Sequence, residues 1–507
     1  MSWIRPTFLT LQLMCFSGLI ALAIGLLLAW SVSQLNSSSR LGKSVRAYVL
    51  LGLVVTLATP MVLHAAAWEA TAGKFGWLTF SQTAARTYTG FAGQYGGIVA
   101  CAWVHGLFGA AIVTLGTWFG LTRIPMAVAE QASLDGRWAS SWWRVLLPLA
   151  SPWLIGSMLL VAMLAATEMT VVNLYGVRTL ADEFYLRHAF QPSVTAIFMV
   201  LVAPAILCIA IITWVVSLRN RLAPMGPTTV SREPISEAPR LTRAVAGALA
   251  LALATLLAAF PISGLIVKTG HQVTVDPNTG TATYGWSVAR SIETLGNAPS
   301  EFAREYGWTI AIATAVPCCC VPLAWVIASW SRDRHRFRIA LDHGSLLLFL
   351  LPGPMVGLLV VRCFSFPIPG FSTLYVQSLL PTILALGFRG LPIAYWILRI
   401  GYSGVDASVF DTASLELPWW KRMWAIDRVL MIRPLVLSAL AVAVYSSGDV
   451  PATLPVIPPT VVTVGTRLFA LLHSGARYQE AALAFWYVLA VAVLVLSIAA
   501  CWKRLDQ

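Results

Sequence analysis

The stretch 130–148, EQASLDGRWASSWWRVLLP, sets Glu130, Asp135, Arg137 and Arg144 into a chain otherwise built of long apolar runs. Up to Asp135 it is short and rich in small residues, which suits a surface helix of about two turns. Ala132 and Ser133 leave room for a partner to approach closely. Gly136 suits a left-handed helix end. The following WASSWWRVLLP is amphipathic and can lie at a membrane surface before the next span. A carboxylate at Glu130, near the helix start, gains about 0.3–1 kcal/mol from the helix dipole. A second stretch, 411–434, opens with DTASLELPWWKRMW and has a similar build. Two such islands, far apart and alike, are more than ordinary loops.

The 507 residues are 58% hydrophobic and 11% charged. A soluble domain carries about 25% charged residues, so this is an all-α polytopic membrane protein. The alternating pattern of a membrane β-barrel is absent. The net charge of +13 reads as basic residues kept on the cytoplasmic side. No basic run is interleaved with exposed aromatics, so no nucleic-acid partner is expected. Cys318, Cys319 and Cys320 point in different directions on a helix and read as small, soft side chains. No disulfide framework is suggested. His64, His105 and His343 read as structural. Without HExxH, a Ser/His/Asp order or a CxxC pair, no enzyme is expected. The run SSSRLGKS (37–44) has Ser37 where a phosphate loop needs its first glycine.

Apolar runs mark eleven spans, near 8–32, 47–68, 97–119, 149–172, 193–217, 244–268, 306–330, 342–362, 374–398, 434–448 and 480–502. The first is too long for a signal-peptide core and lacks a small-residue cleavage site. Lys and Arg favour one side of these spans by roughly two to one, which places both islands in the cytoplasm. With an odd span count the N-terminus is then outside and the C-terminus cytoplasmic. The polar, Pro-rich, basic segment 219–243 separates a first half, 1–218, from a second, 244–507. Each half repeats one order: a span, a short basic loop, two spans, an island and two closing spans. TLQLMCFSGLIALAIGLLLAW (10–30) matches TIAIATAVPCCCVPLAWVIASW (309–330). The second half adds a helix, 244–268, and an external segment, 269–305. Such repeats are typical of transporters, with the solute route between the halves.

Acids inside spans are costly and mark functional candidates. Glu168 in AATEMTVV (165–172) and Asp449 in SSGDVPAT (446–453) fall at corresponding places when the halves are overlaid. Two carboxylates facing a pathway suit a hard cation. The other reading puts each acid at the external interface or at a helix cap. Asn173 and Tyr445 are candidate neighbours. Pro352, Gly353 and Pro354 interrupt their helix, as cavity-lining segments often do. Arg389 lies within a span and needs a partner or an aqueous edge.

The islands resemble the EAA loops of ABC-transporter permease subunits: an acid, two small residues, a glycine four positions on, and later a leucine-proline. Glu130, Ala132, Gly136, Leu147 and Pro148 fit, with Gln131 for the usual alanine. In the second copy Asp411, Ala413 and Leu415 match, Leu417 stands where the glycine belongs, and Arg428-Val429 replaces leucine-proline. Pro418 supplies the turn there by pushing Leu417 out of the helical region. LLFLLPGPMVGLLVV (347–361), GDVPATLPVIPPTVVTVGTRLFALLHSG (448–475) and TEMTVVNLYGVRTLADEFY (167–185) resemble the fused, double-length permeases of iron(III), thiamine and related uptake systems.

That resemblance implies an inner-membrane subunit with no cofactor of its own. Its coupling residues would be Glu130, Ala132, Asp135, Gly136, Asp411, Ala413 and Glu416. They would seat in a cytoplasmic ABC ATPase dimer that uses ATP and Mg. A periplasmic binding protein would deliver iron(III) or another small cation past Glu168, Asp449, Asn173 and Tyr445. The family usually has six spans per half, and this chain lacks the first of them. The alternative is a self-sufficient secondary transporter or channel, which has no need of paired docking helices.

Overall fold

A computed structural model describes residues 3–35, 39–73, 97–135, 141–190, 239–275, 282–474 and 477–505. The predicted span 193–217, most of the linker, and Gly136 lie outside the described residues. Helix α1 (Ile4–Gln34) buries Thr10, Ser17 and Ser31. Each hydroxyl donates back to a carbonyl one turn earlier, at 2.8, 2.6 and 2.7 Å. Such bonds let an apolar helix carry hydroxyls without orphaned polar groups. Helix α2 (Arg40–Ala58) is capped by Ser39, whose Oγ accepts from Gly42 N at 3.0 Å. Within the run 37–44, Ser39 is thus a helix cap. Pro60 breaks the chain, and α3 (Met61–Ala72) follows. His64 Nε2 lies 2.8 Å from Thr56 O and bridges that break.

Helix α4 (Ile98–Thr122) leads to the short α5 (Met126–Asp135). A π turn, Trp142–Leu146, runs into α6 (Leu147–Thr167). Helices α7 (Thr170–Leu174) and α8 (Leu180–Phe190) follow. Beyond the linker, α9 (Arg240–Ala254), a π turn (Thr255–Ala259) and α10 (Phe260–Thr269) make one span. The segment 269–305 was given no secondary structure by the sequence reading. Instead it holds an antiparallel hairpin, β1 (His271–Val275) with β2 (Ala282–Trp286), before α11 (Val288–Glu301). The register pairs His271 with Trp286 and Val275 with Ala282.

Helix α12 (Ala303–Arg332) is followed by α13 (His335–Leu350) and α14 (Gly353–Phe364), bent by 98° at the proline-glycine break. Then come α15 (Phe371–Gln377), α16 (Leu380–Ser403) and α17 (Ala407–Glu416). Next lie α18 (Trp419–Arg422), a π turn (Met423–Asp427), α19 (Arg428–Leu430) and α20 (Ile432–Gly448). The chain closes with α21 (Val464–Ser474) and α22 (Arg477–Leu505). Among the described residues, eight helices are long and apolar enough to cross a membrane. The count reaches ten when the bent pairs Arg336–Leu350 with Gly353–Phe364 and Trp419–Leu430 with Ile432–Gly448 each serve as one span.

Helices α1, α4 and α6 pack on one another, and so do α12, α16 and α20. Leu13, Leu107 and Ala110 lie in the first core; Val316, Leu386 and Ala394 lie in the second. Among the described residues, contacts that cross between the halves include the following two. Helix α8 packs on α14 through Phe184 and Met355. Helix α21 packs on α3, with Leu468 and Leu471 in one cluster with Val62 and Leu63. The span of α9 and α10 follows the linker in sequence yet packs on α1, α2 and α3. Gly448 ends α20 against the Pro60 ring, where any Cβ would collide with Cβ and Cγ of the proline.

Candidate functional site

Two base–acid pairs stand where the acids were expected. Helix α6 stops at Thr167 because Glu168 turns extended (φ −78°, ψ 133°). Its carboxylate accepts from Thr170 N at 2.5 Å and Val171 N at 2.9 Å, capping α7. Such a cap satisfies orphan amides and meets the positive end of the helix dipole. The predicted span 149–172 is therefore shorter than its apolar run. His105 on α4 places Nε2 3.5 Å from Glu168 Oε2. His105 Nδ1 lies 2.8 Å from Cys101 O and must donate to that carbonyl. Nε2 then carries a hydrogen toward Glu168 only in the imidazolium form.

Asp449 follows α20 in the same way (φ −73°, ψ 102°). Its Oδ1 accepts from Ala452 N at 2.9 Å, and the Tyr445 hydroxyl donates to Oδ2. Arg389 on α16 brings Nε to 3.5 Å from Oδ2, with both side chains almost fully buried. Its guanidinium carbon lies 5.6 Å from the Tyr445 ring centroid. Arg389 is within electrostatic range of Glu168 as well as Asp449. The unpaired-looking arginine of the sequence thus has its counter-charge, and the two acids are brought to one region. Gly353 makes room for it, since a Cβ there would meet Arg389 Nη1 at 2.6 Å and Pro451 Cβ at 2.7 Å.

Tyr445 is the neighbour the sequence suggested. Asn173 is placed differently. Its Nδ2 donates to Asp182 Oδ1 at 2.8 Å, and its Oδ1 lies 3.1 Å from His473 Nε2 on α21. It joins α7 to α8 and to α21 and makes no bond to the acids. Burial lifts the Asp182 carboxyl above its ordinary value, with the Asn173 hydrogen bond opposing. The sequence reading missed His105 as a partner. A signal was present: His105-Gly106-Leu107 and Arg389-Gly390-Leu391 occupy comparable places ahead of the two islands.

The chain matches no family model and no curated protein. Its assignment rests on its own residues.

Both islands begin as short helices. In α5, Ala132 is buried and its carbonyl accepts from Ser141 Oγ at 2.6 Å. Gly136 and the side chains of Glu130 and Asp135 lie outside the described residues. In α17, Asp406 caps the start by accepting from Ser408 N at 2.9 Å. Asp411 is exposed and bonded to Arg332 Nη2 at 3.1 Å, Ala413 is buried, and Glu416 is exposed. Leu417 ends the helix extended (φ −125°, ψ 133°), the conformation that Pro418 imposes on it. The proline therefore coincides with the end of this helix. Leu415 is 87% exposed, an apolar side chain aimed away from the protein. Next to this helix, burial would raise the Asp333 carboxyl, but hydrogen bonds and charge from Arg332 and Arg422 hold it below its ordinary value.

Among the described residues no three His, Cys, Asp or Glu side chains gather to hold a metal. His343 Nδ1 lies 2.6 Å from Ile339 O within its own helix. Cys318 and Cys319 are exposed while Cys320 is buried, as adjacent positions on one helix require.

Proposed function

We propose that this chain is the membrane-spanning permease subunit of an ATP-driven, binding-protein-dependent importer. One observation carries the reading: a single functional unit occurs twice. In each copy a span bears a base, a short helix with a buried alanine follows, a π turn leads into the next span, and that span ends in a capping acid paired with the base. The reciprocal packing of α8 on α14 and α21 on α3 supports two halves related by a repeat. A transporter that rocks two repeats about a central site needs such an arrangement.

In this reading α5 and α17 are the docking helices on the cytoplasmic face. ATP and Mg belong to a separate ATPase dimer whose closure draws the two helices together. The halves then exchange inward-open and outward-open states. A periplasmic binding protein supplies solute at the outer face, and the N-terminus lies outside. The solute is iron(III) or another small cation. Glu168 and Asp449 carry two negative charges against one permanent positive charge on Arg389, which favours a cation at the meeting point of the halves.

Purification of the complex from membranes tests this directly. An ATPase subunit is expected to co-purify, and Glu130→Lys is expected to abolish uptake while leaving the protein inserted. Full pumping by the purified chain alone would overturn the reading in favour of a self-sufficient transporter.

A further inference from the structure

The second cytoplasmic helix rests on a buried charge network. Arg422, at the end of α18, has a side chain only 1% exposed. Its Nη1 donates to Asp333 Oδ2 at 3.0 Å and to Ser414 Oγ of α17 at 2.5 Å. Its Nε stands 3.6 Å from Oδ1 of Asp427, which has no exposed surface. Asp427 Oδ2 is held from the other side. It accepts from Ser329 Oγ on α12 at 2.8 Å and from the Tyr402 hydroxyl on α16 at 3.0 Å. One guanidinium therefore stands between the cytoplasmic helix and a carboxylate fixed by two spans.

The pair is open. Arg422 Nε and Nη2 and Asp427 Oδ1 make no hydrogen bond. A buried ion pair recovers the cost of leaving water only when its geometry is close and its remaining donors and acceptors are used. Here unused donors face an unused acceptor just beyond bonding range. That is the signature of a group with a second position nearby. In that position Arg422 closes on Asp427 Oδ1 and releases Ser414. A small displacement of α17 is enough to change which contact is better, because packed interiors switch between discrete arrangements rather than deforming smoothly.

We propose that Arg422 is the positioning residue through which α17 moves the spans α12 and α16. Its guanidinium exchanges Ser414 and Asp333 for Asp427 as the cytoplasmic helix shifts. The proposal rests on the permease reading and assigns the transmission of force within it. At α5 the ties among the described residues include a neutral hydroxyl bond, Ser141 to Ala132 O.

The test uses the complete complex in proteoliposomes and reads ATP hydrolysed per solute imported. Arg422→Met is expected to raise that ratio by at least about fivefold. Arg422→Lys is expected to raise it less, because an ammonium keeps the charge but loses the planar fork. The double variant Ser414→Ala with Asp333→Asn leaves the buried Arg422–Asp427 pair intact and removes the α17 hydroxyl together with the carboxylate at the end of α12. It too is expected to raise the ratio, and it decides the matter if Arg422→Met does not fold. A ratio within about twofold of wild type in both Arg422→Lys and the double variant overturns the proposal. Failure of the permease reading would show separately, as a wild-type complex that contains no ATPase.

Discussion

The pairs His105–Glu168 and Arg389–Asp449 have the same construction and opposite permanence. In each, an acid leaves the end of a span, caps the turn that follows and meets a base from a neighbouring span at 3.5 Å. The guanidinium of Arg389 is charged at any physiological pH, whereas an imidazole is charged only when it holds a second proton. The second pair is therefore an obligatory buried ion pair, locked further by the Tyr445 hydroxyl and by ring contact. The first can exist as a carboxylate that serves mainly as a cap. The acid that looks the same in both sequences is spent on a charge in one place and on backbone amides in the other.

The comparison breaks most readily at Asp449. Asp449→Asn keeps an acceptor for Ala452 N but leaves Arg389 buried without its partner. Breaking a buried pair in this way costs about 3–5 kcal/mol. Unfolding of the purified protein in detergent measures it, and Arg389→Met in the same background is expected to recover most of the loss. A cost below about 1 kcal/mol would mean that the guanidinium is not dependent on Asp449. Glu168→Gln sharpens the contrast. The amide oxygen keeps one of the two backbone bonds that cap α7, the amide nitrogen loses the other, and no permanent charge is stranded, so the expected cost is about 1 kcal/mol. Equal costs at the two acids would show that His105 carries its charge as constantly as Arg389 does.

Much of this arrangement was legible before any coordinates. Spans announce themselves by length of apolar run, and the interruption at Pro352 was read from its ring, which removes a donor and restricts its predecessor. The break at Pro60, inside the expected span 47–68, follows the same rule and was missed. Leu417 follows the same rule. The correspondence of Glu168 with Asp449 came from overlaying the two halves of the sequence. What the chain could not reveal was partnership. Nothing in LGFRGLP names Asp449, and nothing marks His105 as the counterpart of Arg389 except the shared glycine-leucine that follows each. Asp427 looks like a solvent-facing charge in a cytoplasmic island, yet it is fully buried because Ser329 and Tyr402 from two distant spans supply its hydrogen bonds. The hairpin was readable and passed over: HQVTV and ATYGW flank a run rich in turn formers, the usual mark of paired strands. The end of α6 was hidden for a different reason. The apolar run continues past Thr167, and only the carboxylate turning onto Thr170 and Val171 stops the helix there.

The smallest effect is expected at Ser141, and it compares a hydroxyl contact of α5 with the charge network under α17. Ser141 Oγ donates to the Ala132 carbonyl of α5 at 2.6 Å, in a buried setting. Ser141→Ala removes that bond without introducing bulk, so the stability loss is about 0.5–1.5 kcal/mol. A neutral hydroxyl bond carries no charge that could be exchanged between partners. Its loss should loosen α5 slightly while ATP use per transported solute stays near wild type. At Arg422 the same assay should move well before stability does. If Ser141→Ala uncouples the complex as strongly as Arg422→Lys, the hydroxyl is as much a transmitter as the guanidinium. The charge network under α17 would then be a local solution to packing rather than the feature that sets the two sites apart.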